Sequence, residues 1–274
     1  EFSNNKLVAL KCHDVESNSS FTVRGRHFVS TVGPWTDVLG QTLMPAWKKI
    51  MRPSKGVHLI IDKKRMPLAQ AVVMISDDQK RIVFVIPRED VVIIGTTDTD
   101  YGGDPAQVRT EKEDVQYLLK IARDYFPGAR LSEGDIISSY AGVRPLVDDG
   151  AQTESKTSRE HYIKTDTRNI TFLTGGKYTT YRRMAEETVA TTLNFFSSEE
   201  KRHWQKSCTK KPLNPKASVD KLNQARGSAA SWATKFGVHV DIVNMLVARH
   251  GAEAFDILKK WSSGGESTQL DFLK

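Results

Sequence analysis

Cysteine is scarce: Cys12 and Cys208 are the two thiols among 274 residues. Neither has a CxxC partner or a histidine at ligand spacing, which excludes a disulfide scaffold and a zinc finger and points to a reducing compartment. Long apolar runs are missing too. Val91-Val92-Ile93-Ile94 is typical of those present, far short of the ~18 residues that a membrane helix needs. The opening EFSNNK has neither a basic n-region nor an apolar h-region, so no signal peptide is read there. GxGxxG after a strand, GxxxxGK[ST], HExxH and GxSxG are all absent, and no internal repeat is found. A self-contained dinucleotide, nucleotide or metal enzyme is therefore not written in this chain, and no metal site is expected.

What is present is ordinary globular material. Hydrophobic residues make up 39% and charged residues 27%, with 18 Gly and 10 Pro, which argues against disorder and collagen. The length suits one large domain or two smaller ones, and chains of this size bury roughly 70–75% of their unfolded surface. Lys and Arg number 40 against 33 Asp and Glu, a net charge of +7. That balance favours anionic partners such as phosphorylated metabolites, nucleic acid or acidic lipid, although it is also normal for a solvated surface.

The pattern along the chain is mixed α/β. Leu7–Leu10, Phe21–Val23 and Arg26–Val32 read as strands, the last ending at Gly33-Pro34, a turn signal. Gly56–Ile61, Ala69–Ile75, Arg81–Ile86 and Val91–Thr97 read as an antiparallel meander with one face covered, with a hairpin at Pro87–Asp90. A helix follows, with Thr110 as its cap and Glu113 in the capping-box position, and Pro127-Gly128 stops it. Ile136–Val143, His161–Lys164 and Ile170–Thr174 are further strands, with a polar loop over Asp148–Arg159. A helix runs from about Tyr178 to Phe196. Lys206–Lys216, with two prolines and four lysines, reads as a linker. Val219–Phe236, Asp241–Val247 and Ala252–Trp261 read as helices, and the tail from Ser262 has little pattern.

Chemistry concentrates in basic residues beside glycines at strand ends. Gly175-Gly176-Lys177-Tyr178-Thr179-Thr180 joins a strand to a helix whose free N–H groups favour anionic atoms. The plainer reading is a Thr-capped turn, but Lys177 in the first helical turn would oppose the dipole and wants another reason. In Gly142-Val143-Arg144-Pro145, the proline holds Arg144 extended, which suits bidentate recognition of phosphate or carboxylate. The alternative is an arginine paired with a structural aspartate. Lys55 and His58 flank a strand start, where a lone histidine is ordinarily a satisfied core residue. Ser158-Arg159-Glu160-His161 and Gly95-Thr96-Thr97-Asp98 are weaker signals of the same kind.

These segments together, in this order, resemble the flavin-dependent glycerol-3-phosphate dehydrogenases, the quinone-linked kind with bound FAD. The resemblance is carried by Ser30–Trp35, Ser54–His58, Ile94–Asp98, Gly142–Leu146, Ser158–His161 and Gly175–Arg182, and covers about residues 20 to 190. It implies an α/β (α+β) fold with residues 1–47 and 140–198 as C-terminal parts of an FAD-binding domain. Residues 48–139 would be a substrate-binding antiparallel sheet plus helix, and 199–274 a linker and C-terminal helical domain. Such enzymes begin with a strand–GxGxxG–helix unit that this chain lacks. The chain is therefore expected to correspond to a C-terminal portion, and when purified alone to show no flavin absorbance in its visible spectrum.

The resemblance also implies roles. Gly33, Gly175, Gly176, Lys177, Tyr178 and Thr179 would bind FAD, and Lys55, Arg144, Arg159 and Lys177 would surround the substrate. His58, with Arg144 and Lys177, would be catalytic, with Lys177 the rival base. The substrate would be glycerol 3-phosphate and the electron acceptor a membrane quinone, in a cytoplasmic protein peripheral to the inner membrane. A homodimer is a further expectation, and a nucleic-acid partner is not expected. The alternatives are a glycerol-3-phosphate oxidase or related amine or polyol oxidase using oxygen, and a non-catalytic anion-binding or membrane-surface module.

Overall fold

The computed structural model describes residues 1–76, 81–151, 157–202, 209, 214 and 218–263. It divides into two compact units, Glu1–Trp204 and Gln205–Lys274. The first opens with short paired strands β1 (Phe2–Ser3) and β2 (Lys6–Leu7) and a hairpin of β3 (Ala9–Asp14) and β4 (Ser19–Arg24). Strand β5 (Phe28–Ser30) follows, then a 3₁₀ turn at Gly33–Trp35 and helix α1 (Thr36–Leu43). The sequence reading had no helix there. Gly40 within it is a poor helix former, yet the ring of Trp47 occupies the space where a Cβ would project. Asp37 on the same helix accepts hydrogen bonds from Trp47 Nε1 (2.8 Å) and the backbone N–H groups of Ile50 and Met51. Tertiary packing therefore outweighs propensity.

The central sheet contains β6 (Ser54–Asp62), β7 (Val72–Ile75), β8 (Ile82–Arg88), β9 (Val91–Gly95), β10 (Thr99–Asp100) and, after helix α2 (Lys112–Tyr125), β11 (Ile136–Arg144). Every pairing is antiparallel, with order β10-β6-β9-β8-β7 and β11 beside β6. Strand alternation sorts the two faces. Val57, Leu59 and Ile61 are fully buried with Val92, Ile94 and the Leu118–Leu119 stripe of α2, each aliphatic side chain contributing about 1.5–3 kcal/mol. The opposite face leaves Ile82, Phe84 and Ile86 exposed. Four expected strands are thus present, with the turn of the β8–β9 hairpin tightened to Glu89-Asp90 and Glu89 at φ 52°.

The cap of α2 lies one residue later than expected. Glu111 is the N-cap rather than Thr110, and its N–H donates to Asp114 at 3.0 Å. Asp114, not Glu113, closes the box because it also answers a buried lysine from β6. Strands β12 (His161–Asp166) and β13 (Ile170–Gly175) form an antiparallel pair, and β5 joins β13 in parallel. A 3₁₀ turn at Tyr178–Thr180 then leads into α3 (Tyr181–Leu193), followed by α4 (Ser198–Arg202).

In the second unit, α5 (Val219–Gly227), α6 (Ala229–Phe236), α7 (Val240–His250) and α8 (Ala254–Ser262) enclose Ala229, Val243, Leu246 and Leu258. The single helix expected over Val219–Phe236 is two. Ser228 breaks it, caps α5 with its N–H and begins α6. Most of the lysine-rich linker, the tail beyond Ser263, residues 77–80 and residues 152–156 of the polar loop lie outside the described residues. The linker composition and the division into two units predict that limited proteolysis cuts first between Lys201 and Lys216. First cleavage elsewhere, followed by co-migration of both units, would disprove that boundary.

Candidate active site

The uncovered face of the sheet carries Ser54, Gly56 and His58 from β6, because Lys55, Val57 and Leu59 take the helix-covered face. His58 pairs in register with Gly95 on one side and Tyr140 on the other. Its ring stacks on Tyr140 with centroids 4.7 Å apart and planes 13° from parallel. A Cβ at Gly95 would enter the imidazole, so only glycine leaves room for this rotamer. Among the described residues, the buried Nδ1 has no hydrogen-bond partner. Burial, and then the Arg144 charge, hold the pKa of His58 below its ordinary 6.5, so the ring is neutral near pH 7. This is not a satisfied core histidine. It is a neutral imidazole on the uncovered face of the sheet.

Arg144 ends β11 opposite Ser54, and its guanidinium fills the space left by Gly56. Nη2 donates to Thr96 Oγ1 (2.9 Å) and the Thr97 carbonyl (3.1 Å), while Nη1 donates to Asp98 Oδ1 (3.1 Å). Asp98 is 7% exposed and also accepts from the Ser54 hydroxyl. Arg159 approaches its other oxygen at 3.5 Å, and Arg81 donates to its backbone carbonyl. Both readings of Arg144 therefore hold: it is anchored by an aspartate and it is a rigid cation at a strand end. Arg144 and Arg159 thus share one carboxylate, and the Arg144 charge is the one felt at His58.

Lys55 does not join this group. Its ammonium, 8% exposed, lies on the covered face at 2.7 Å from both Glu111 and Asp114. Burial works against the charge, but hydrogen bonds to the two carboxylates outweigh it and hold the pKa above 10.5. The placement corrects the expected contact with substrate: residue 55 shares the parity of Val57 and Leu59. Lys55→Met leaves Asp114 as a buried, unpaired charge and should destabilise the chain by about 3–5 kcal/mol. Urea unfolding measures this, and phosphate affinity of the folded variant should stay within about two-fold, because the charge removed is an internal one.

The glycine-rich turn lies at the C-terminal end of β13, and the parallel partner β5 ends at Ser30, three residues before Gly33 opens its 3₁₀ turn. Gly33, Gly175 and Gly176 have φ of 58°, 74° and 82°, values that side chains resist. At Gly175 a Cβ would meet Val147 and the Glu160 carbonyl, which places the segment after Arg144 and the segment after Arg159 against this turn. Tyr178 is 91% exposed. Thr179 follows it in the 3₁₀ turn. Lys177 is the N-cap in extended conformation, not a first-turn residue, so the expected conflict with the dipole does not arise. Among the described residues, no hydrogen bond or ion pair joins its ammonium to Arg144 or His58. His161, at the start of β12, bonds Glu187 of α3 at 2.7 Å and ties the turn to its helix.

Sequence reasoning passed over Ser54, Arg81, Tyr140 and the central place of Asp98. The Gly95–Asp98 strand end did carry a signal, and period-two alternation puts Ser54 and Tyr140 on the face of His58. Arg81 had none.

Residues 2–182 match the family described as FAD dependent oxidoreductase (DAO). The aerobic glycerol-3-phosphate dehydrogenase of Staphylococcus aureus (strain USA300) is 29% identical over 263 residues, covering 93% of this chain and 46% of that protein. The Staphylococcus saprophyticus protein of the same description is also 29% identical, over 94% of this chain and 47% of its own length. The solved glycerol-3-phosphate dehydrogenase from Bacillus halodurans, complexed with FAD, has a TM-score of 0.79 at 30% identity, over 97% of this chain and 51% of that one. The chain spans about half the length of these relatives.

Proposed function

The chain belongs to the FAD dependent oxidoreductase (DAO) family, and on that premise we propose that it supplies the substrate-facing half of a glycerol-3-phosphate dehydrogenase. The observation that carries the reading is the neutral His58 beside a cluster of guanidiniums on an open sheet face. The names of the relatives supply the substrate.

The residues present fit FAD. Gly33, Gly175 and Gly176 expose backbone at adjacent strand ends, and the orphaned Nδ1 of His58 is a buried polar atom awaiting a partner. Gly33 and Gly175–Thr179 would hold the cofactor. In the full-length, FAD-loaded enzyme, bound FAD would supply the hydride acceptor. The remaining work falls to the chain's own side chains. Arg159, half exposed, and Arg144 bind the phosphate and adjacent oxygens, and the Asp98 anchor holds the Arg144 fork in one plane. His58 takes the proton of the C2 hydroxyl as hydride leaves C2, and Arg144 stabilises the developing alkoxide. The product is dihydroxyacetone phosphate. Lys177 serves the substrate or the cofactor from its exposed cap.

The electron acceptor is read as a quinone at a membrane surface. No helix among the described residues is long and apolar enough to cross a membrane. Reoxidation of the glycerol 3-phosphate-reduced, FAD-loaded enzyme should be at least about ten-fold faster with a soluble quinone than with air-saturated buffer, a difference of about 1.4 kcal/mol in barrier. Faster reoxidation by oxygen would make it an oxidase.

A further inference from the structure

Three guanidiniums meet at Asp98, and they meet it differently. Arg81 holds the backbone carbonyl, whereas Arg144 and the Ser54 hydroxyl hold Oδ1. Oδ2 faces Arg159 alone among the described residues, at 3.5 Å. That is long for a charge-assisted hydrogen bond, which runs about 2.7–2.9 Å. The Arg159 side chain is 51% exposed, against 24% for Arg144. The pair is long and open to water on its Arg159 side, both of which weaken it, and a phosphate dianion offers more charge and three acceptor oxygens.

We propose that Asp98 is a positioning residue with two separable duties: through Oδ1 it fixes Arg144, and through Oδ2 it holds Arg159 until a phosphate dianion takes that guanidinium over. Arg144 is then the fixed cation of the site and Arg159 the one that changes partner. The proposal rests on the glycerol 3-phosphate reading only for what carries the phosphate, since the exchange itself needs no more than a phosphate group. It also makes Asp98 an internal competitor for substrate. Removing its charge therefore acts in opposite directions on binding and on turnover.

The test is calorimetric titration of the chain with inorganic phosphate, before and after Asp98→Asn. Phosphate should bind about two- to five-fold tighter in the variant, the size expected for releasing a weak, half-exposed pair. In the FAD-loaded enzyme, kcat for glycerol 3-phosphate should fall about ten-fold or more, because Arg144 loses a charge-assisted anchor. A residue needed only for folding would weaken both. Adding Arg159→Gln to Asp98→Asn should erase the gain in phosphate affinity. Unchanged or weaker phosphate binding by folded Asp98→Asn overturns the proposal. Should that variant fail to fold, the unaltered chain gives the answer by NMR. The Asp98 carboxyl and Arg159 guanidinium resonances should move together and saturate at one phosphate concentration, while the hydrogen bond from Arg144 to Asp98 persists. An Asp98 resonance that does not respond at saturating phosphate overturns it equally. If phosphate behaves as expected but glycerol 3-phosphate neither binds tighter than phosphate nor is oxidised, the exchange stands and the functional reading falls.

Discussion

His58→Asn in the FAD-loaded enzyme should lower kcat for glycerol 3-phosphate by at least ~10²-fold, the usual worth of a positioned general base. Asparagine roughly preserves the space between Gly95 and Tyr140 and keeps a polar group there, but it cannot accept the C2 hydroxyl proton. The pH profile separates this from a mere binding role. Burial and Arg144 hold the His58 pKa below 6.5, so the wild-type rate should fall only on the acidic side, as the imidazole charges. The variant should lose that limb. A raised KM with kcat and the acidic limb kept would move the base assignment to Lys177.

The same shift has a sign in stability. Between the depressed folded pKa and 6.5, the unfolded chain binds the His58 proton and the folded chain does not, so stability rises with pH across that window. It is lost as pH falls toward the folded pKa. His27 is shifted in the same direction by burial. Urea unfolding of His58→Asn between pH 5 and pH 7 should therefore show a reduced slope rather than a flat one, about half if the two contribute equally.

Arg144→Lys is the second large effect. The guanidinium reaches Thr96, Thr97 and Asp98 at once, from two nitrogens of a single plane. An ammonium is a point charge and cannot span these acceptors. Losing one charge-assisted contact costs about 1.5–3 kcal/mol, so kcat/KM should fall roughly 10- to 150-fold. Because Asp98 stays buried against Ser54, the fold should also lose stability. An unchanged kcat/KM would mean that Arg144 serves the sheet alone.

Much of this architecture was legible because strand parity leaves a trace in sequence. Val57, Leu59 and Ile61 alternate with Gly56, His58 and Ile60, and that alternation predicts both a strand and its buried face. The same parity carries the information that Lys55 faces inward, against the substrate contact that the resemblance implies for it. Its partners Glu111 and Asp114 lie more than fifty residues away, and a local pattern holds no trace of such a pairing. Asp98 is the parallel case. Its strand-end motif was visible, but its three arginines come from β11, the start of β8 and the approach to β12. Helix α1 was hidden by Gly40, whose reason is the ring of Trp47. Local chemistry announced which residues matter, and topology decided which of them meet.

The central claim is that the open face around His58, Arg144 and Arg159 is where glycerol 3-phosphate is oxidised. It is tested most directly by mixing the FAD-loaded enzyme anaerobically with candidate substrates and following the visible flavin band. Glycerol 3-phosphate should bleach the band completely and yield one dihydroxyacetone phosphate per flavin, while glycerol, which offers no dianion to the arginines, should leave it nearly unchanged. Bleaching by glycerol or by an amino acid, with glycerol 3-phosphate inert, would contradict the account.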